Sequence, residues 1–160
     1  MINPKLSKNI IFLIHSLRMR NYSPYVLAII NTEMFFRSSK HRFVEYLAWI
    51  FLWLIQSKRV STLSIGIAQI QIRHWKDLGF ITSYKPTLSN ILTILNYKLN
   101  YNACQKYIDK FNIDNPSTQK IAKIYNGKPR KYYCSILEKS LVLSKRYLTN
   151  SSTKICSPNE

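Results

Sequence analysis

The stretch FVEYLAWIFLWLIQ, residues 43–56, is the most apolar part of the chain and bears most directly on its fold. Its apolar residues fall on every side of a helix, which is typical of a helix surrounded by other helices. The stretch is shorter than the roughly 20 residues that a membrane-spanning helix needs, and it contains Glu45. We therefore predict a buried central helix over residues 42–56, with a membrane-contacting helix as the alternative.

Helical patterns continue on both sides of this stretch. They predict helices over residues 5–19, 24–36, 66–78, 118–125 and 131–148. A further amphipathic stripe is formed by Leu88, Ile91, Leu92, Leu95 and Leu99, and another helix carries Cys104, Tyr107, Ile108 and Phe111. Ser23-Pro24 is a helix start signal for the 24–36 helix, and Gly79 is expected to end the 66–78 helix.

The fold class that follows is mainly α. We expect an α+β fold with at most a short β-hairpin near residues 57–66, because "KRVSTLS" at residues 58–64 alternates in hydropathy. We predict one compact domain over residues 1–148, followed by a polar, disordered tail over residues 149–160.

The charge of the chain limits its partners. There are 24 Lys and Arg against 7 Asp and Glu, a formal net charge of +17. Such a surface attracts polyanions: nucleic acid, an anionic membrane or an acidic cell-wall polymer. The apolar run that follows the first lysines lacks a small-residue cleavage site, so we expect an amphipathic first helix and no cleavable signal peptide.

The cysteines argue against a disulfide framework or a zinc site. Cys104, Cys134 and Cys156 are odd in number and show no C-x-x-C spacing. We expect Cys104 and Cys134 to be core thiols, and we expect neither a metal nor a cofactor.

Glu33 is a carboxylate in an unusual place. Its neighbours at i−4, i−3 and i+3 are all apolar, so its side chain should lose hydration. Lost hydration raises the pKa of a carboxyl and favours the protonated acid, which is the form that protonates a glycosidic oxygen. An internal salt bridge to Arg37 or Arg42 is an equally good interpretation.

Glu45 raises the same question on the apolar stretch. It is either a second catalytic carboxylate or, as we favour, a structural partner for one of the many arginines.

Four segments, taken in order, resemble lytic transglycosylases and goose-type lysozymes of the lysozyme-like superfamily. They are "NTEMFFRS", "SIGIAQIQ", "PTLSNILTILNYKLNYNACQKY" and "IAKIYNGKPRKYYCSIL", and they cover about residues 20 to 145. The second resembles the S-x-G-hydrophobic-x-Q signature, and the last resembles a Y-N-G element.

The resemblance implies a role for each matching residue. Glu33 would be the general acid. Ser64, Gly66 and Gln69 would form the wall beside it, with Gly66 letting a sugar ring lie against the main chain. On the opposite side, the cleft would be closed by Tyr125 and Asn126.

The activity implied by the resemblance is cleavage of peptidoglycan glycan strands between N-acetylmuramic acid and N-acetylglucosamine, as a muramidase or a lytic transglycosylase. Such a bacterial or phage protein would be made in the cytoplasm and reach the periplasm or cell wall through specialised export or lysis. Candidate partners are the glycan strands, a secretion apparatus or a cognate inhibitor protein, with transient membrane contact and no specific nucleic acid.

Three alternatives stay open. The helix that follows Glu33 and the "STLS" segment are closer to peptidoglycan glycosyltransferases, although their E-D-x-x-F and Q-Q elements are absent. Tyrosines interleaved with basic residues, as in "NYKLNYNACQKYIDK" and "KPRKYY", suit a helical nucleic-acid-binding protein. A membrane-active toxin could use the helix over residues 43–56.

Overall fold

A computed structural model describes residues 3–17, 22–111, 117–126 and 130–155. These residues form eight α-helices, a 3₁₀ helix and one antiparallel strand pair, so the predicted mainly α fold with a short hairpin is confirmed. The elements are α1 (Pro4–Leu17), α2 (Pro24–Phe36), α3 (Ser39–Leu54), the 3₁₀ helix (Lys58–Thr62), β1 (Ser64–Ile65), β2 (Ile70–Gln71), α4 (Ile72–Asp77), α5 (Leu88–Leu95), α6 (Tyr97–Asp109), α7 (Thr118–Asn126) and α8 (Lys131–Ile155).

The hairpin lies further along the chain than predicted. Residues 58–62 form the 3₁₀ helix, and the strands pair Ser64 with Gln71 and Ile65 with Ile70. The predicted helix over residues 66–78 therefore begins only at residue 72. The reason is local: Gly66 has φ +82 and Gln69 has φ +53, and these left-handed conformations form the turn of a hairpin rather than a helix.

Contacts divide the chain into two compact units. The central unit comprises Glu33–Ile113, and the terminal unit comprises Met1–Thr32 with Asp114–Glu160. In the central unit α3 packs against β1 and the 3₁₀ helix, α4 against β2, and α5 against α6. In the terminal unit α8 packs against α1 and α7. The single domain over residues 1–148 stays a prediction.

A small buried polar cluster ties α2 to α8 in the terminal unit. Asn31 and Thr32 are fully buried, and each has a side-chain polar atom 3.3 Å from Oγ of Ser140. The Thr32 hydroxyl also donates to the Ala28 carbonyl at 2.7 Å, and the Ser144 hydroxyl to the Ser140 carbonyl at 2.8 Å. Hydrogen bonding makes the burial of these polar groups tolerable.

The last helix does not end at residue 148. It continues through residues 149–155, where we predicted a disordered tail, and the Thr149 hydroxyl donates to the Lys145 carbonyl at 3.0 Å. Residues 156–160, and with them Cys156, lie outside the described residues.

The apolar stripe from Leu88 to Leu99 belongs to two helices, not one. Asn96 ends α5 and caps α6, because its side chain accepts a hydrogen bond from the Leu99 amide at 3.1 Å. The exposed fractions of Leu88, Leu92 and Leu95 are 72%, 56% and 51%. The α5 part of the stripe is therefore largely exposed.

The prediction of a buried central helix is wrong for α3. Of its residues only Glu45 and Trp49 are buried, and the Trp49 indole donates to the Tyr84 carbonyl at 2.9 Å. The exposed apolar residues form what we call the α3 apolar face: Phe43, Val44, Leu47, Ile50, Phe51 and Leu54, with exposed fractions from 37% at Ile50 to 64% at Phe43. Apolar composition alone did not distinguish the covered side of this helix from the exposed one.

Two local predictions fare better. Gly79 takes φ +77 just after α4, as expected for a glycine that ends a helix. Cys104 is fully buried, as predicted for a core thiol, whereas Cys134 has intermediate exposure, so the prediction of a core thiol is wrong for Cys134.

Candidate functional site

The candidate site is built around the carboxylate of Glu45, which is only 8% exposed. The Arg37 guanidinium forms an ion pair with Oε1 of Glu45, and the Gln69 side-chain amide donates to Oε2 at 2.8 Å. A buried carboxylate needs such donors to offset its lost hydration. The arginine partner that we expected for Glu45 is therefore Arg37.

Gln69 joins this carboxylate to the hairpin loop. Its Nε2 also donates to the Gly66 carbonyl at 2.8 Å, so both amide hydrogens are used within the site. Its Oε1 is buried and has no hydrogen-bond partner among the described residues. The side chain thus fixes the loop to Glu45 and keeps one acceptor unused.

Arg37 connects Glu45 with the end of α2. Its backbone N–H donates to the Glu33 carbonyl at 3.0 Å, while its guanidinium goes to Glu45. The Arg42 guanidinium in turn donates to the Arg37 carbonyl at 3.2 Å. Glu33 is 6% exposed, which is the burial that we expected from its apolar neighbours.

Gly66 is required by the packing of its own unit. A Cβ at this position would lie 2.5 Å from Oδ1 of Asn100, which is fully buried. That amide donates to the Asn96 carbonyl at 2.9 Å and accepts from the Ala68 N–H at 3.4 Å. The room beside Gly66 that the resemblance implied for a sugar ring is filled by Asn100.

A groove of about 280 Å³ lies next to this network, near the lower end of the size range of small-molecule sites. Neither Glu33 nor Glu45 is among the described residues that line it. The lining comes from α3, the hairpin loop, α5 and the start of α6: Ser39, Arg42, Phe43, Tyr46, Gly66, Ile67, Ile94, Leu95 and Tyr97.

Two polar groups set the electrostatics of the groove. Burial lowers the pKa of Arg42, while Tyr97 and Glu45 act in the opposite direction. Burial, and then the charge of Glu45, raise the pKa of Tyr46. At neutral pH the groove therefore offers a cationic guanidinium and a protonated phenol, groups that suit an anionic or hydroxyl-rich ligand.

The remaining predicted site residues are Ser64, Tyr125 and Asn126. Ser64 lies in β1 with intermediate exposure. Tyr125 and Asn126 belong to α7 in the terminal unit, and the side chain of Asn126 lies outside what the structure describes. The substrate contacts predicted for these residues stay predictions.

Sequence reasoning missed Asn100, Tyr46 and Tyr97. Asn100 could have been noticed, because Asn96 and Asn100 stand four residues apart on a helix that otherwise presents apolar residues to its neighbours. The two tyrosines carry no comparable signal, since the chain contains 11 tyrosines.

Among the residues that the structure describes, no group of three or more His, Cys, Asp or Glu side chains could hold a metal ion. Comparison with known proteins found no matching family model, no matching curated sequence and no matching solved structure.

Proposed function

We propose that this chain cleaves glycosidic bonds in peptidoglycan glycan strands, with Glu33 as the general acid. The observation that carries the proposal is the hydrogen bond from Gln69 to Glu45. It joins the S-x-G-x-x-Q segment to the helix that follows Glu33. Arg37 bonds to both glutamates, because its backbone N–H donates to the Glu33 carbonyl and its guanidinium donates to the Glu45 carboxylate.

The two glutamates have different roles in this proposal. Glu45 accepts hydrogen bonds from a guanidinium and an amide, which hold its carboxylate in place. Glu33 is 6% exposed at the end of a buried run of α2, so little water reaches its side chain. In this proposal Glu33 gives its proton to the leaving oxygen, and Glu45 holds Arg37 and Gln69 in position.

In this proposal the groove binds a small part of a glycan strand. Arg42 and Tyr46 offer a positive charge and a hydroxyl donor for the lactyl carboxylate or the sugar hydroxyls. Oε1 of Gln69 would accept a hydrogen bond from a substrate N–H or O–H once the loop admits it. The net charge of +17 attracts the protein to an anionic wall, and salt weakens that attraction.

Digestion of purified cell-wall sacculi tests the proposal. Mass spectrometry of the released muropeptides compares the wild type with Glu33→Gln, and we expect a loss of at least about 100-fold in rate, the scale for removing a general acid. The product masses also separate hydrolysis from 1,6-anhydro formation. The matched control is Glu138→Gln, which alters an exposed carboxylate on α8.

The controls decide between the two glutamates. Circular dichroism and thermal unfolding must show that each variant folds. No muropeptides from the wild type, or equal release by Glu33→Gln, would overturn the proposal. If Glu45→Gln alone abolishes release while its fold is kept, the general acid is Glu45 and the assignment of Glu33 is wrong.

The nucleic-acid alternative receives less support. Base stacking needs exposed rings, but Tyr101 and Tyr133 are only 4% and 7% exposed, which leaves Tyr132, at 61%, as the exposed ring of the "KPRKYY" segment. Tyr107 packs against His74 and Phe111, with ring centroids 4.9 and 5.6 Å away. Salt-dependent retention of the protein on DNA, without any release of muropeptides, would reverse this ranking.

A further inference from the structure

The residues of the α3 apolar face form a continuous exposed stripe along the helix. At 3.6 residues per turn its six residues fall within an arc of about 120° and extend for about 17 Å along the helix. The exposed fractions of Phe43, Phe51 and Leu54 are 64%, 60% and 63%. Isolated exposed apolar residues are ordinary, but a continuous stripe of this size indicates an interaction surface.

Basic residues stand at both ends of this stripe. Lys40 is exposed at the N-terminal end of α3, and Lys58 and Arg59 are exposed just beyond its C-terminal end. The only acidic residue of α3 is Glu45, which is buried with Trp49 on the other side of the helix. The surface therefore combines an apolar stripe with positive charge at each end and carries no opposing negative charge.

A second exposed stripe lies in the same unit. It consists of Leu88, Leu92 and Leu95 on α5. Leu95 and Phe43 line the same groove, so the two apolar stripes meet at its rim.

We propose that the α3 apolar face docks on the surface of an anionic lipid bilayer. The apolar side chains would enter the boundary between headgroups and acyl chains, and the flanking lysines and arginine would bind the lipid phosphates. In this proposal α3 lies along the membrane plane, because its apolar residues form one stripe along the length of the helix. No described helix is both long enough and apolar enough to span a bilayer.

Charge complementarity selects the bilayer over a second copy of this chain. Two copies that met through this face would bring together basic residues of chains that each carry a net charge of +17. Like charges across an interface oppose association, whereas anionic headgroups neutralise them. This inference does not depend on the activity proposed for Glu33.

Co-sedimentation with lipid vesicles tests the docking surface. We expect the full chain to bind vesicles that contain phosphatidylglycerol far better than vesicles of phosphatidylcholine alone. Phe51→Ser/Leu54→Ser should weaken binding to the anionic vesicles by at least about tenfold, because two inserted apolar side chains are lost. Both positions are exposed, so thermal unfolding of this variant should match that of the wild type.

A matched pair of valines locates the surface. Val44 on the α3 apolar face and Val142 on α8 are 60% and 62% exposed. Val44→Ser should weaken vesicle binding, and Val142→Ser should leave it unchanged.

Four outcomes would overturn the proposal. The first three are no binding of the wild type to anionic vesicles, equal binding by Phe51→Ser/Leu54→Ser, and an equal loss of binding in both valine variants. The fourth is a dimer of the wild type in analytical ultracentrifugation that becomes a monomer in the double variant, while neither protein binds vesicles. Each of them removes either the bilayer or the α3 apolar face from the interaction.

Discussion

The helices α2 and α3 are neighbours in sequence and similarly rich in apolar residues, yet they are buried to very different extents. In α2 every residue from Val26 to Glu33 is at most 6% exposed, and this run includes the polar residues Asn31 and Thr32. In α3 only Glu45 and Trp49 are buried, and most of its large apolar residues are exposed. One helix buries polar groups while the other exposes apolar ones.

The contrast shows that partners for polar groups decide burial as much as apolar content does. Asn31 and Thr32 lie beside the hydroxyl of Ser140, and the Thr32 hydroxyl donates to the carbonyl one turn before it. On α3 both buried residues have polar partners, since Glu45 bonds to Gln69 and Trp49 to the Tyr84 carbonyl. The residues of the α3 apolar face stay exposed although they are apolar.

The largest expected difference between α2 and α3 is in the stability effect of replacing one leucine on each helix. Leu27 on α2 is fully buried, and Leu54 on α3 is 63% exposed. Leu27→Ala should lower the free energy of unfolding by about 2–5 kcal/mol, because it leaves a cavity. Leu54→Ala should change it by no more than about 0.5 kcal/mol. Urea unfolding followed by circular dichroism measures both, and equal losses would show that the two helices are buried alike.

Two glycines test the packing of the loop between β1 and β2, next to the strand that packs against α3. Gly66 and Gly79 both have positive φ, so an alanine costs about 1–2 kcal/mol of unfolding free energy at either position. At Gly66 the new Cβ would also meet Oδ1 of Asn100 at 2.5 Å, whereas nothing lies within 4 Å of it at Gly79.

Gly66→Ala should therefore destabilise the protein by about 1–3 kcal/mol more than Gly79→Ala does, from overpacking. Thermal unfolding of the two variants gives the difference. If they melt together, Asn100 does not fill the space beside Gly66, and a ligand could.

Two tryptophans one turn apart on α3 give the smallest of the three effects. The Trp49 indole is fully buried and donates to the Tyr84 carbonyl at 2.9 Å. Trp49→Phe should cost about 1–3 kcal/mol of unfolding free energy, because a fully buried ring becomes smaller and the part-buried Tyr84 carbonyl loses its donor.

Trp53 is the control, since it is only half-buried and its ring lies 5.4 Å from the Lys85 ammonium. Trp53→Phe should cost less than about 1 kcal/mol, the scale of an exposed cation–π contact. Comparable losses in chemical denaturation would mean that the buried side of α3 is wider than Glu45 and Trp49.

The sequence predicted the helical elements well where a local signal marks their ends. Ser23-Pro24 and Gly79 mark the start of α2 and the end of α4, and both lie where expected. The exposure of α3 was not predictable from periodicity, because a helix with apolar residues on every side has no covered side that the pattern can identify. The turn at residues 66–69 was missed, since Gln69 takes a backbone conformation that its residue type rarely adopts.

The candidate site was predictable only in part. An arginine partner for Glu45 followed from the excess of basic residues, but the choice of Arg37 depends on how the end of α2 meets α3. Asn100 fills the space beside Gly66 from a helix more than 30 residues later, and although its spacing with Asn96 marks Asn100, nothing in either segment indicates that it contacts Gly66.

Gln69 keeps a backbone conformation that glycine or asparagine would adopt more cheaply. Either residue would form the turn at a lower conformational cost, so the two hydrogen bonds of the glutamine side chain offset that cost. Stability engineering by glycine at this position would relax the turn and at the same time release the Glu45 carboxylate and the Gly66 carbonyl from their common donor. The positive φ of Gln69 and the position of the Glu45 carboxylate therefore depend on the same side chain.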